Sequence, residues 1–381
     1  MVFSSPIKIC FAENGDDSNE KVEQELNQNI DKILEDIDSD ELDEYITNDF
    51  NLEFFDSFSF LSLVKAILSN NFFTEYKSLF NGILDFLKQN FKNLFIFFFS
   101  LFVIVIISEM FNSFCIDKYK EIKKLISIIF SFVLTVLIIV LIQQASKIII
   151  ETTNKIFNFS KKLMPILLSL ILLTGANGTY TIYQTLSVFL IETGMYIFIY
   201  VLMPIVSSIV LLTVLSVTVG DNKFSNLISL LKTVFKYIII GYFAVFGLFS
   251  TINLVASGIS DGVNYKLTKF AIKSYIPVLG GYISDGFDFV HTCSVLVKNS
   301  FGITGILVLF FMILKPILLC VVYILMFKIL GVATSFVGKN SFAKYFENIS
   351  NSIKYFMAIL ASAFMCILVF IYLLIMSVSV V

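Results

Sequence analysis

A chain of 381 residues that is 57% hydrophobic and only 15% charged, with a mean hydropathy of +0.88, is too apolar for a set of soluble domains, which run at roughly 45–50% apolar and about 25% charged. A compact chain of this size still exposes about a quarter of its unfolded surface, so lipid has to solvate much of the excess and the chain reads as a membrane protein. Its net charge of −2 divides unevenly: residues 1–60 hold seventeen of the twenty-nine acids and three lysines, a charge of −14, against +12 for the remainder.

All 27 basic residues are lysine. Without the guanidinium fork that grips phosphate and guanine, nucleic-acid binding has almost no support. Residues 1–12 end in Cys10, Phe11 and Ala12 ahead of the acidic run. Small residues three before and one before a cut suit signal peptidase, so this stretch reads as a truncated signal-peptide remnant, with a ragged terminus as the alternative. Residues 13–70 form an acidic region expected outside the cytoplasm. Within it Val22, Leu26, Ile30, Ile33, Leu34 and Ile37 recur at helical spacing. Charge density makes this region a solvated flexible arm; a docking surface for a partner is the alternative. Residues 71–92 carry a stronger pattern, with Phe72, Tyr76, Leu79, Phe80, Ile83, Leu87 and Phe91 on one face and Glu75, Lys77, Asp85 and Lys88 on the other. Such a helix directly before a spanning segment is predicted to lie in the membrane interface.

Residues 93–381 form the multi-pass domain. A spanning helix needs about twenty apolar residues to cross roughly 30 Å of hydrocarbon, and 94–110, 125–142, 195–219, 237–256 and 355–381 qualify. The run 301–336 suits two passes, or one helix kinked at Lys315 and Pro316. Two apolar stretches are broken: 163–174 runs into Gly175 and Gly178, and 276–297 is interrupted by Pro277, Gly280, Gly281 and Gly286. The expected fold is all-α, a polytopic helical membrane protein of about seven spans with broken or half helices near 163–178 and 276–297. Orientation is weakly encoded, because Lys118, Lys120, Lys123 and Lys124 follow the first span while Lys77, Lys88 and Lys92 precede it. The positive-inside rule decides little there, and the signal-like start places residues 13 to about 90 outside the cytoplasm.

Ionisable groups inside apolar segments are costly and usually face a protein interior or a water path. The candidates are Glu109, Glu192, Asp285, Asp288, His291, Lys298 and Lys315. Asp285, Asp288 and His291 recur every three residues, which sets them on one helical face. They read either as a proton or cation relay or as groups hydrated in an interfacial loop. Ile-Ser-Asp-Gly occurs twice, at 259–262 and 283–286. Ser and Asp cap helices and Gly permits sharp turns, so Pro277, Gly280, Gly281 and Ser284, and likewise Ser260, Asp261 and Gly262, are predicted helix-break and cap positions. Broken helices with their positive ends turned to one cavity are how transporters build sites; coincidence in Ser- and Gly-rich sequence is the alternative. A zinc intramembrane protease needs two histidines and an ATPase needs a Walker lysine, and the chain has one histidine and no such motif. Cys10, Cys115, Cys293, Cys320 and Cys366 are spaced too widely for a zinc site or a disulfide framework and read as small hydrophobes. No enzymatic activity, cofactor or metal is expected.

The stretch 258–309 combines Ser260, Asp261 and Gly262 with Lys269, Phe270 and Ala271, then Ile276, Pro277, Val278, Leu279 and Gly280. It continues with Ser284, Asp285, Asp288, Lys298 and Asn299, and ends with Gly302 and Gly305. Upstream, Met164 and Pro165 open a Leu-rich segment. Together these resemble the stage III sporulation protein AE family of endospore-forming bacteria, from roughly Phe60 onward. The resemblance implies a non-enzymatic multi-pass subunit of a secretion or feeding-channel complex that links mother cell and forespore and is needed for late forespore gene expression. It implies the mother-cell membrane around the forespore, with the N-terminal region facing the intermembrane space. It implies as partners other stage III sporulation membrane subunits, including a separate ATPase and ring-forming proteins, and a forespore membrane partner. A stand-alone proton-coupled secondary transporter and a non-conducting platform for assembling ring subunits are the alternatives. In each case Asp285, Asp288, His291 and Lys298 are the candidate intramembrane polar site.

Overall fold

In hydrocarbon every backbone N–H and C=O needs a partner within the chain, and a helix supplies one locally. The computed structural model describes residues 30–34, 40–46, 59–68, 94–108, 110–111, 120–219, 224–275, 280–337 and 340–379, and these contain helices and no strand. In chain order they are α1 (Asp40–Glu44), α2 (Phe60–Leu68), α3 (Leu94–Ser108), α4 (Lys120–Leu173) and α5 (Asn177–Met195). A π-helical segment, Tyr196–Leu202, joins α5 to α6 (Met203–Val219), and α7 (Ser225–Tyr275), α8 (Gly280–Val337) and α9 (Asn340–Ser379) follow.

Five helical stretches among the described residues are long and apolar enough to cross a membrane: Ile128–Leu173, Asn177–Ser216, Ser225–Thr251, Phe289–Phe336 and Phe342–Ser377. The expected count of about seven spans is not confirmed: among the described residues the run 94–110 is the shorter apolar helix Leu94–Ser108, and the run 301–336, long enough for two passes, does not divide. Runs 125–142 and 163–174 both lie in α4, and the run 301–336 is part of one helix, α8, with Pro316 inside it. The expected half helix near 163–178 is thus the C-terminal part of α4, which continues through Pro165. A proline removes one N–H from the ladder, and tertiary packing on both sides holds the rest of the helix. Gly175, at φ 79°, then ends α4 in the left-handed conformation that favours glycine at a helix C-terminus. Its N–H donates to the Leu172 carbonyl at 2.9 Å, and α5 begins at Asn177.

The lengths bear on function. At 54 and 58 residues, α4 and α8 measure roughly 80 and 87 Å at 1.5 Å per residue, against a hydrocarbon core of roughly 30 Å. Much of each helix therefore lies beyond a single hydrocarbon layer, or strongly inclined to it.

α8 and α9 pack antiparallel along their length, with α4 against α8 and α6 against α9. α7 lies outermost against α5 and α6: the core of its apolar segment is 17% buried, compared with 50% for that of α9. Side-chain hydroxyls tie the helices together, as between Thr213 and Ser352 at 3.2 Å and from Ser350 to the Ile324 carbonyl at 3.1 Å.

The acidic N-terminal region is not simply a solvated arm where it is described. Ile30, Leu34, Leu42, Ile46, Phe60 and Val64 are buried, so apolar residues at helical spacing dock despite the surrounding carboxylates. Ser59 caps α2, accepting the Ser62 N–H at 3.1 Å, and the Asp43 carboxylate accepts the Phe60 N–H. α2 packs on α8, with Phe60 5.5 Å from Phe301 and 6.4 Å from Phe159 between ring centroids. The Tyr45 hydroxyl donates to the Lys155 carbonyl of α4 at 3.2 Å, and the Lys162 ammonium lies 5.7 Å from the Tyr45 ring centroid. The signal-like stretch 1–12 and the amphipathic stretch 71–92 lie outside the described residues.

Candidate functional site

The N-terminal part of α8 concentrates polar residues: Asp285, Asp288, His291, Ser294, Lys298, Asn299, Ser300 and Thr304. At 3.6 residues per turn, His291 and Lys298 share a face two turns apart. His291 is half-buried and engaged with a neighbouring group. Asp285 and Asp288 are placed in the helix by their backbone, and their side chains are outside the described set. Ser294, Ser300 and Thr304 return their hydroxyls to carbonyls one turn back in α8, at 2.8–3.0 Å, which satisfies them locally.

Lys298 has no exposed surface. Its Nζ donates to the carbonyl oxygens of Leu374 at 3.1 Å and Ile375 at 2.8 Å. The Ser377 hydroxyl also donates to Leu374, at 2.9 Å. An ammonium taken from water into a low-dielectric interior is strongly penalised unless it is hydrogen-bonded. Here it meets the C-terminal turns of α9, where aligned peptide dipoles leave partial negative charge. Asn299, the next residue, keeps a buried Oδ1 with no hydrogen-bond partner among the described residues. Such an acceptor costs about 1–3 kcal/mol.

Two glycines bring the neighbouring helices in. A Cβ on Gly302 would lie 2.7 Å from both Cδ1 and Cγ1 of Ile375, and a Cβ on Gly305 would run into Cδ2 of Leu163 on α4. Small residues at a helix contact let backbones approach closely. Gly302 follows Lys298 by one turn, so the same stretch of α8 accepts the end of α9, a leucine of α4 and the Phe60 ring of α2.

The predicted caps are corrected. Ser260, Asp261 and Gly262 lie inside α7, and Ser284 lies inside α8, so neither triplet starts a helix. Gly280 and Gly281 are the first two residues of α8 rather than a turn ahead of it. Pro277 lies outside the described residues, between the ends of α7 at Tyr275 and α8 at Gly280. Gly costs a helix interior only about 1 kcal/mol and Ser less, which the packing of a long helix absorbs. The expected half helix near 276–297 is therefore, from Gly280 onward, the opening of a continuous helix.

Of the other candidates, Glu192 pairs with Lys161 between α5 and α4, with side chains 53% and 61% exposed. Lys315 is half-buried in α8, and Glu109 is outside the described residues. Cys293, Cys320 and Cys366 are buried free thiols, and Cys366 Sγ lies 3.1 Å from the Tyr242 hydroxyl. Among the described residues no cluster of His, Cys, Asp or Glu could hold a metal ion. Sequence reasoning missed Phe60, and it missed Lys232 and Lys236 of α7. The signal for those lysines was a pair one turn apart in a segment, Ser225–Thr251, that contains no acid.

The family model described as stage III sporulation protein AE matches residues 58–379. A curated relative, stage III sporulation protein AE of Bacillus subtilis (strain 168), is 26% identical over 216 residues, 55% of this chain and 53% of that one. The match thus spans about half the length of that relative. No solved structure matches the chain. The matched residues 58–379 take in α2 and every helix that builds the Lys298 site, and the chain, a sporulation-related membrane protein, belongs to the stage III sporulation protein AE family.

Proposed function

We propose that this protein is a non-enzymatic multi-pass subunit of a secretion or feeding-channel complex that links mother cell and forespore and supports late forespore gene expression. The observation that carries the reading is the length of α4 and α8, 54 and 58 residues. Helices nearly three times as long as a hydrocarbon core is thick have length to extend beyond the bilayer toward partners, and a solitary carrier has no need of that reach. The partners are other stage III membrane subunits, a separate ATPase, ring-forming proteins and a forespore membrane protein. The N-terminal region faces the intermembrane space, and the polar stretch of α8 from Asp285 to Lys298 is the working part of the membrane domain.

Co-purification from sporulating cells tests the assembly: the tagged chain is expected with the ATPase and ring subunits. Recovery of the chain alone, together with substrate uptake in proteoliposomes, would replace the reading with a stand-alone proton-coupled transporter. Asp285→Asn tests the site. A carboxylate at membrane depth costs about 2.5–3.5 kcal/mol on insertion scales, so a purely structural role there predicts a gain in stability on neutralisation. Late forespore gene expression is instead expected to fall at matched membrane abundance, and to fall further with Asp288→Asn added. Normal expression in the double variant removes the proposed role of both carboxylates.

A further inference from the structure

On the outer side of the bundle, α7 leaves two adjoining cavities against α6 and α9, of about 610 and 290 Å³, which share Ser229 and Lys232. Lys232, Lys236 and Thr233 line the larger from α7 and Tyr355 lines it from α9; Asn348 lines the smaller. Lysines four apart project to one side of a helix. The Lys232 ammonium lies 5.7 Å from the Tyr355 ring centroid, and Phe235 meets the same ring edge-on at 5.2 Å. A ring quadrupole attracts an ammonium without neutralising it. No Asp or Glu lines either cavity among the described residues.

Two ammonium groups beside clustered hydroxyls, with no carboxylate in the lining, make a site for an anion with several oxygens, since each ammonium offers three donors and phosphate oxygens accept several charge-assisted bonds. The surroundings point to the source of that anion. Leu230, Val234, Tyr237 and Ile240 stand exposed along α7, so an acyl chain has an apolar wall to lie against. Lys232 and Lys236 stand about 10 and 16 Å along the Ser225–Thr251 segment from its start. Lysine stems in a helix lean toward its N-terminus, which carries their ammonium groups toward the headgroup level, where basic pockets between membrane helices bind lipid. We propose that this crevice binds the phosphate of an anionic glycerophospholipid, held by Lys232 and Lys236, with the lipid chains along α7. The site is independent of the polar stretch of α8.

The test titrates the whole purified chain in neutral detergent with short-chain phosphatidylglycerol. Phosphatidylcholine of the same chain length, glycerol phosphate and inorganic phosphate serve as comparisons. Phosphatidylglycerol is expected to bind more tightly than all three. Lys232→Gln with Lys236→Gln is expected to weaken it about thirtyfold, roughly fivefold for each lysine near a headgroup, while the double Arg variant retains binding. Equal binding of the two lipids, or unchanged phosphatidylglycerol binding in the Gln pair, overturns the site. Inorganic phosphate or glycerol phosphate binding as tightly as phosphatidylglycerol overturns the lipid as its source. Loss of an acidic partner protein from the Gln pair with lipid binding intact also overturns it, in favour of a protein interface. Should the Gln pair fail to fold, Lys236→Gln alone carries the same test at about fivefold.

Discussion

Lys298 lies between α8 and α9 with no exposed surface and its ammonium against two backbone carbonyls, whereas Lys232 and Lys236 stand on outermost α7 around an open crevice. The same side chain therefore meets the cost of a charge near lipid in two ways. At Lys298 the protein supplies the counter-dipole itself, and it does so only when α8 and α9 are in register, so the contact specifies one packing of that pair. At α7, among the described residues, an aromatic face is what is supplied to Lys232, and the remaining attraction is left for something outside the bundle. A buried lysine satisfied by the fold fixes how its two helices pack beside the polar stretch of α8, and a lysine pair left open to the surroundings points to a ligand.

The largest expected effect separates these cases. Lys298→Ala removes a fully buried side chain and is expected to lower stability by about 2–5 kcal/mol, as large-to-small changes in packed interiors do. Lys298→Met keeps the volume and is expected to stay within about 1.5 kcal/mol of the parent. Thermal unfolding of the purified protein in detergent reads both, and an unperturbed Ala variant would show that α9 does not seat on Lys298. Next, Gly302→Leu is expected to cost about 1–3 kcal/mol by overpacking, because Ile375 occupies the space a Cβ would need. The same melt checks it, and a neutral result would mean that α8 and α9 can part without penalty.

The smallest effect is expected at the Lys161–Glu192 pair, which is exposed like Lys236 of α7 but has its own carboxylate. Lys155, Lys161 and Lys162 crowd one stretch of α4, which suits a hydrated setting, so Lys161→Gln is expected to change stability by less than about 1 kcal/mol, the usual worth of an exposed ion pair. A loss of several kcal/mol in the same assay would place the pair in hydrocarbon and sharpen the contrast with Lys298.

The N-terminal region shows where charge density misleads. Seventeen acids before residue 60 point to solvent, yet Leu42, Ile46 and Phe60 are buried against the bundle. Acid content describes the outer face of such a segment and says nothing of the apolar residues between. The two Ser-Asp-Gly triplets misled in the opposite direction. Their residues have real cap and turn propensities, worth about 1 kcal/mol each, and lie inside α7 and α8 because longer-range packing outweighs them.

By itself the sequence determined the solvent and the secondary structure: an excess of apolar residues that only lipid can accommodate, helices as the answer to unsatisfied backbone, and a helix end at Gly175. It also marked Lys298, Gly302 and Gly305 as a group through family resemblance. It could not determine how many passes the apolar runs make, since a run of twenty residues looks the same alone or inside a helix of 58. Nor could it pair Lys298 with Leu374 and Ile375, 76 and 77 residues away. Hydropathy and periodicity are local and report what each segment does with its neighbours in the chain. Whether a buried ammonium meets a carbonyl, or two lysines are left around an open crevice, depends on which helices lie side by side, and only the tertiary structure decides that.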